Sequence, residues 1–131
     1  MQTEDDVYNL EKLIVQLECL HNELSQLTKK SPNDGLNLFK LKLVNKVLES
    51  GNQVLRENYK PFEDFNEFEE EELPTNSDVT MILALYIEQA ERFRSDNIAW
   101  SNHDHLWRYV LNGKNSEFNA RPPSRIGVFK K

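Results

Sequence analysis

The chain has 131 residues, of which 38% are hydrophobic and 29% charged, and its formal net charge is −6. This length fits a single domain, residues 1–131, and the apolar content is low for a self-contained globule but too high for a wholly disordered chain. The one cysteine, Cys19, excludes an intramolecular disulfide and a cysteine-based zinc cluster, and it favours a reducing compartment, the cytoplasm or the nucleus.

Leucines recur through the first segment of the chain with the spacing 3-4-3-4-3. They are Leu10, Leu13, Leu17, Leu20, Leu24 and Leu27. This spacing is typical of a helix that packs against another helix, and it predicts a first helix over residues 4–28. Because the pattern lasts for fewer than three heptads, we expect an antiparallel helical pair. Thr3 and Asp6 are spaced to form a capping box at the helix start.

A cluster of turn formers, including Pro32 and Gly35, separates the first segment from the second. A connection this short favours antiparallel neighbours. The second helix is predicted over residues 36–58, where the apolar side chains form a broad arc that suits more than one packing neighbour. Gly51 lies inside this helix, where a glycine costs roughly 1 kcal/mol relative to alanine.

Residues 59–76 are predicted to be an acidic linker, and the third helix is predicted over residues 78–94. Ser77 or Asp78 is expected to cap this helix, since both side chains can accept a hydrogen bond from the first turn. Thr75 is an alternative cap, because Thr75-x-x-Asp78 also has the spacing of a capping box.

The third helix opens with residues 79–87, of which only one is not apolar. A helix that is apolar nearly all round is usually buried, so we expect this one at the centre of the fold. This run is far too short to cross a bilayer, and we therefore expect a soluble protein with no membrane partner. Glu88, Glu91, Arg92 and Arg94 are expected to mark the exposed end of the helix.

The segment after the third helix allows two interpretations. Ser101-x-x-Asp104 resembles a capping box and predicts a short fourth helix over residues 102–111, ended by Asn112 and Gly113. The alternative is a β-hairpin, because Asn-Gly is also the preferred two-residue hairpin turn. The flanking residues do not alternate cleanly between apolar and polar, and for that reason we predict the helix.

The last segment, residues 114–131, is predicted to be an extended basic tail with a short strand at residues 126–129. Its candidate partner-binding residues are Arg121, Arg125, Lys130 and Lys131. The fold class predicted from all segments is mostly α: a small antiparallel bundle of three to four helices with an acidic linker and this tail.

Residues 62–72 are the most distinctive stretch of the sequence. Seven acidic residues and no basic residue lie between positions 61 and 73, so the rest of the chain sums to +1. Phenylalanines recur at every third position through this stretch. The candidate partner-binding residues here are Phe62, Phe65, Phe68, Glu69, Glu70, Glu71 and Glu72.

Three interpretations of this acidic stretch remain open. Crowded carboxylates repel and keep a segment hydrated, while its aromatic side chains seek a pocket on a basic partner. Alternatively, the phenylalanines pack onto this protein's own bundle and the carboxylates face water. A calcium site has the least support, because the stretch lacks the glycine and the oxygen spacing of a calcium-binding loop.

Catalytic and metal-binding patterns are lacking in the sequence. His103 and His105 stand two residues apart, which cannot place both on one helix face, and no third histidine or cysteine is nearby. There is no Gly-x-Ser-x-Gly elbow and no glycine-rich phosphate loop. We therefore expect no enzyme activity, no metal site and no cofactor.

The function predicted from the sequence is a non-enzymatic protein–protein interaction module, a subunit or adaptor of an intracellular complex. Its expected partner is another protein chain with a basic surface, and a second copy of this chain is an alternative. The rival hypothesis is a nucleic-acid-associated factor, in which the basic tail contacts phosphates and Trp107, Tyr109 and Phe118 stack on bases.

Overall fold

The computed structural model describes residues 1–124 as a mostly helical protein with a small antiparallel sheet. Three helices form the bundle: α1 (Glu4–Lys30), α2 (Leu38–Tyr59) and α3 (Asn76–Asp96). A single 3-10 turn (Glu70–Glu72) lies in the connection between α2 and α3. These helices correspond to the three long helices predicted from the sequence.

Helix α1 begins as its sequence predicts. The Thr3 hydroxyl accepts a hydrogen bond from the Asp6 amide at 3.3 Å, and the Asp6 carboxylate accepts one from the Thr3 amide at 3.0 Å. The six regularly spaced leucines face the interior of the bundle, with Leu10, Leu13, Leu17 and Leu24 buried and the other two half-buried. The helix therefore stabilises the bundle through the face that the spacing of its leucines defines.

Helix α2 packs closely against its neighbours at Gly51. A methyl group added there would lie 3.2 Å from the ring of Tyr86 on α3 and 3.5 Å from Leu13 on α1. The glycine thus allows a close approach of the three helices that a larger side chain would obstruct. Near the end of α2, Arg56 departs from helical geometry with φ 56° and ψ −165°.

Helix α3 is the central helix, and it packs most extensively against α1. Its cap is Thr75, whose hydroxyl accepts a hydrogen bond from the Asp78 amide at 3.1 Å. The alternative cap is therefore the correct one, and the helix begins slightly earlier than predicted. Val79, Leu83 and Tyr86 are fully buried.

The predicted helix over residues 102–111 is wrong, because this part of the chain forms an antiparallel sheet. The sheet has the order β1 (Ile98–Ser101), β2 (Leu106–Leu111) and β3 (Lys114–Ala120). Asn112 and Gly113 have φ values of 52° and 77° and turn β2 into β3. This is the two-residue hairpin turn of the alternative interpretation.

The resemblance to a capping box arises from the turn between β1 and β2. The Ser101 hydroxyl accepts a hydrogen bond from the Asp104 amide at 3.4 Å, as an N-cap would. His105 then adopts a φ of 57°, which ends the turn instead of continuing it as a helix. Ile98 and Tyr109, paired across β1 and β2, are buried in the same core as the helices.

The prediction that residues 114–131 are an extended tail is wrong for its first part, since β3 pairs with β2. Residues 121–124 follow the strand without regular secondary structure. Arg125, Lys130, Lys131 and the strand predicted over residues 126–129 lie outside the described residues.

Candidate protein-docking site

Residues 62–72, called here the acidic segment, lie along the flank of α2 and run antiparallel to it. Near its middle, the side chain of Asn45 binds both backbone groups of Phe68. The Asn45 amide donates to the Phe68 carbonyl at 3.0 Å, and the Phe68 N–H donates to the Asn45 carbonyl oxygen at 3.0 Å. Asn45 is only 7% exposed, so these hydrogen bonds satisfy a buried polar side chain and fix the segment in register.

Both ends of the acidic segment are also attached to the fold. Asn52 on α2 donates to the Asn66 carbonyl at 2.9 Å, and the Lys60 ammonium donates to the carbonyl of Glu63 at 3.3 Å and to the Asn66 side chain. Beyond the other end, the Leu36 amide donates to the Pro74 carbonyl at 2.9 Å. The connection between α2 and α3 is therefore ordered by tertiary contacts, although it has little secondary structure.

The phenylalanines of the acidic segment have different environments. Phe65 and Phe68 are half-buried against the core, and their rings meet edge to face with centroids 5.1 Å apart. Phe62 is 46% exposed. Packing onto this protein's own bundle thus accounts for two of the three aromatic side chains, and Phe62 is the one that leaves nearly half of its surface exposed.

The carboxylates of the acidic segment face solvent. Glu63, Asp64, Glu67, Glu69, Glu71 and Glu72 are exposed, and Glu70 is half-buried. Four ion pairs occur among residues 1–124, and none of them includes a carboxylate of this segment. The fold therefore holds like charges close together on one surface, and the Lys60 ammonium contacts the segment at a carbonyl and an amide side chain, not at a carboxylate.

The described part of the basic tail is bound at α3. The Arg121 side chain is exposed, while its carbonyl accepts a hydrogen bond from Arg94 Nη1 at 2.8 Å. Arg94 Nη2 also donates to the Pro122 carbonyl at 2.8 Å. Of the predicted basic binding residues, Arg121 is the one within the described range.

An ion pair on α3 was missed by the sequence reasoning, which expected Glu91 and Arg94 on an exposed surface. Arg94 is 1% exposed, and its Nε and Nη2 atoms donate to the two Glu91 carboxylate oxygens at 2.8 and 2.6 Å. The Ser124 hydroxyl donates to Glu91 Oε2 at 2.6 Å. These groups line a cleft of about 210 Å³ between α1, α3 and residues 121–124. The spacing of Glu91 and Arg94 by three residues was the available signal.

This ion pair predicts a loss of stability in acid. Burial alone would raise the pKa of Glu91, but hydrogen bonds from Arg94 and Ser124 outweigh it and lower the pKa from 4.5 to about 2. A pKa lower in the folded chain than in the unfolded chain stabilises the fold above pH 4.5. This stabilisation, on the order of 3 kcal/mol, is expected to disappear as the pH falls from about 5 to about 2.

Urea unfolding at a series of pH values between 2 and 7 measures this effect. The matched control is Glu91→Gln, which cannot ionise and is expected to flatten the pH dependence over that window. An equally steep acid dependence in Glu91→Gln would assign the effect to other carboxylates.

The aromatic residues proposed to stack on bases are largely inside the fold. Tyr109 is buried, and Trp107 and Phe118 are half-buried and pack against the core. Trp100 is 44% exposed, and its ring meets that of Trp107 edge to face at 5.8 Å. Trp107 therefore contributes to the core, whereas Trp100 lies on β1 with its side chain exposed.

The histidine pair lies in the turn between β1 and β2. Asp104, between the two histidines, accepts hydrogen bonds from Arg108 at 2.7 and 3.0 Å. The Trp100 and His105 rings meet edge to face at 6.2 Å. Within residues 1–124, no group of three or more His, Cys, Asp or Glu side chains is placed to hold a metal ion.

The fold and this surface define a small helical protein with a three-stranded antiparallel sheet and an ordered acidic surface segment. Comparisons with family models, curated proteins and solved structures found no match to this chain. No helix within residues 1–124 is long and apolar enough to cross a membrane.

Proposed function

We propose that this protein is a non-enzymatic interaction module, a subunit or adaptor of an intracellular protein complex, and that its acidic segment binds a basic surface of another protein chain. The observation that carries this proposal is the attachment of the acidic segment to α2 through Asn45, with its carboxylates directed to solvent. The bundle thereby presents a fixed array of negative charge.

Electrostatics supports a basic partner. Like charges held close together repel, and this repulsion opposes folding of the segment. A cationic surface would relieve the repulsion, and long-range attraction would accelerate the encounter. None of the four ion pairs within residues 1–124 includes one of these carboxylates.

Order in the segment supports binding without a large entropic cost. A disordered acidic peptide must be immobilised when it binds, which weakens the complex. Here the hydrogen bonds to Asn45 and Asn52 already fix the backbone. Phe62 then serves as the exposed aromatic anchor, whereas Phe65 and Phe68 hold the segment onto its own bundle.

The nucleic-acid hypothesis has weaker support. It relied on Tyr109, Trp107 and Phe118 as stacking groups, and Tyr109 is buried while the other two are half-buried. Stacking on a base requires an accessible ring face.

A quantitative pull-down with charge-matched variants tests the proposal. Removing two exposed carboxylates of the acidic segment, with Glu71→Gln and Glu72→Gln, is expected to weaken capture of the partner about tenfold at low salt. The control, Glu18→Gln with Glu117→Gln, removes the same charge from exposed positions elsewhere and is expected to change capture little.

The phenylalanines give an independent test in the same assay. Phe62→Ala is expected to reduce capture while leaving the melting temperature unchanged. Phe65→Ala is expected to lower the melting temperature, because that ring packs against the core. Equal capture by the native chain, the Glu71→Gln, Glu72→Gln variant and Phe62→Ala would show that the acidic segment only connects α2 to α3 and does not bind the partner.

A further inference from the structure

Ser124 has the sequence context and the position of a modification site. Arg121 precedes it by three residues and Arg125 follows it directly. Positive charge on both sides favours recognition by a kinase with an acidic substrate groove. This pattern alone is common, but the structure adds a specific contact for the serine hydroxyl.

That contact joins the end of the described chain to the buried ion pair of α3. Glu91 Oε2 accepts hydrogen bonds from the Ser124 hydroxyl at 2.6 Å and from the Ser124 amide at 3.2 Å. Arg94 holds the same carboxylate and also binds the carbonyls of Arg121 and Pro122. Residues 121–124, called here the C-terminal strap, are therefore attached to α3 through one ion pair.

We propose that Ser124 is phosphorylated by an arginine-directed serine kinase, and that phosphorylation releases the C-terminal strap from α3. In the reaction, Ser124 Oγ bonds to the γ-phosphorus of a nucleoside triphosphate. The bond from that phosphorus to the β–γ bridging oxygen breaks, the nucleoside diphosphate leaves, and the hydroxyl proton passes to a base of the kinase.

Like-charge repulsion is the physical reason for release. The hydroxyl that donates to Glu91 is replaced by a phosphate carrying close to two negative charges. The phosphate would face a carboxylate that the hydroxyl approaches within 2.6 Å. Arg94 is already engaged in four hydrogen bonds, to Glu91, Arg121 and Pro122, and has little capacity left for the phosphate.

Access to the site is consistent with modification of the folded chain. Arg121, Pro122 and Ser124 are exposed, so a kinase can approach the strap from solvent. The Arg94 contacts use the carbonyl of Arg121 and leave its guanidinium at the surface. The same residue can thus hold the strap with its backbone and bind a kinase with its side chain.

The test uses the full chain, a purified serine kinase that selects arginine three residues before the serine, and Mg-ATP. Mass spectrometry is expected to find phosphate on Ser124 and none at position 124 of Ser124→Ala. Arg121→Ala is expected to slow the phosphorylation at least tenfold while the NMR signals of the Arg94 Nη–H groups stay unchanged, because Arg94 binds the backbone carbonyl of residue 121.

Release is read from hydrogen exchange of the Arg94 Nη–H groups, which donate to the carbonyls of Arg121 and Pro122. Phosphorylation is expected to accelerate their exchange at least tenfold, and treatment of Ser124→Ala with the kinase and Mg-ATP is expected to leave its own exchange rate unchanged. The proposal is overturned if the kinase phosphorylates a peptide of residues 118–128 but not the folded chain. It is equally overturned if the phosphorylated chain keeps the slow exchange of the Arg94 Nη–H groups. Neither result depends on the acidic segment.

Discussion

Replacing Arg94 with leucine is expected to lower the free energy of unfolding by about 3–5 kcal/mol, the usual cost of removing one partner of a buried ion pair. Arg94 is almost fully buried and provides the cation that Glu91 faces. Without it, a largely buried carboxylate loses its cation, and the carbonyls of Arg121 and Pro122 lose a hydrogen-bond donor. Urea unfolding at pH 7, followed by circular dichroism, measures the change.

A neighbouring ion pair on the same helix is the matched control. Arg92 and Glu88 interact at 3.0 Å, but each side chain is 32% exposed. Arg92→Leu is therefore expected to cost less than about 1 kcal/mol. The double variant Glu91→Leu with Arg94→Leu is expected to recover much of the loss, because no charge then remains buried. Equal costs for Arg94→Leu and Arg92→Leu would contradict the assignment of Arg94 as a structural cation.

Replacing Asn45 with alanine is expected to destabilise the protein by about 2–3 kcal/mol, since each lost hydrogen bond contributes about 1 kcal/mol and the unpaired groups add a desolvation cost. The substitution removes both partners of the Phe68 backbone. The acidic segment is then held mainly by Phe65, Phe68 and the contacts at its ends. Urea unfolding gives the loss of stability, and hydrogen exchange of the Phe68 amide gives the local effect.

The control for Asn45 is Asn22→Ala, which deletes the same side chain at an exposed position of α1. It is expected to change stability by less than about 0.5 kcal/mol. Asn45→Ala is also expected to weaken partner capture in the pull-down assay, because the carboxylates lose their fixed arrangement. Unchanged protection of the Phe68 amide in Asn45→Ala would show that other contacts are sufficient to fix the segment.

The helices were predictable because their signals lie within a few residues of one another. The capping box joins Thr3 to Asp6, three residues away. The leucines of α1 are likewise spaced by three or four residues, about one helical turn. The hairpin at Asn112 and Gly113 was misassigned because the same dipeptide ends helices and joins strands. The pairing of Ile98 with Tyr109 across β1 and β2, and their shared burial, decided between the two.

The sequence by itself was sufficient to predict the three long helices. It also located the concentrated negative charge of the acidic segment and the candidate binding residues there. Only the tertiary structure decided that Phe65 and Phe68 pack inward while Phe62 stays open, and that Arg94 is buried. The physical reason is the distance along the chain between the partners. Asn45 meets Phe68 and Arg94 meets the carbonyl of Arg121 only after the helices have packed, and no local pattern encodes either contact.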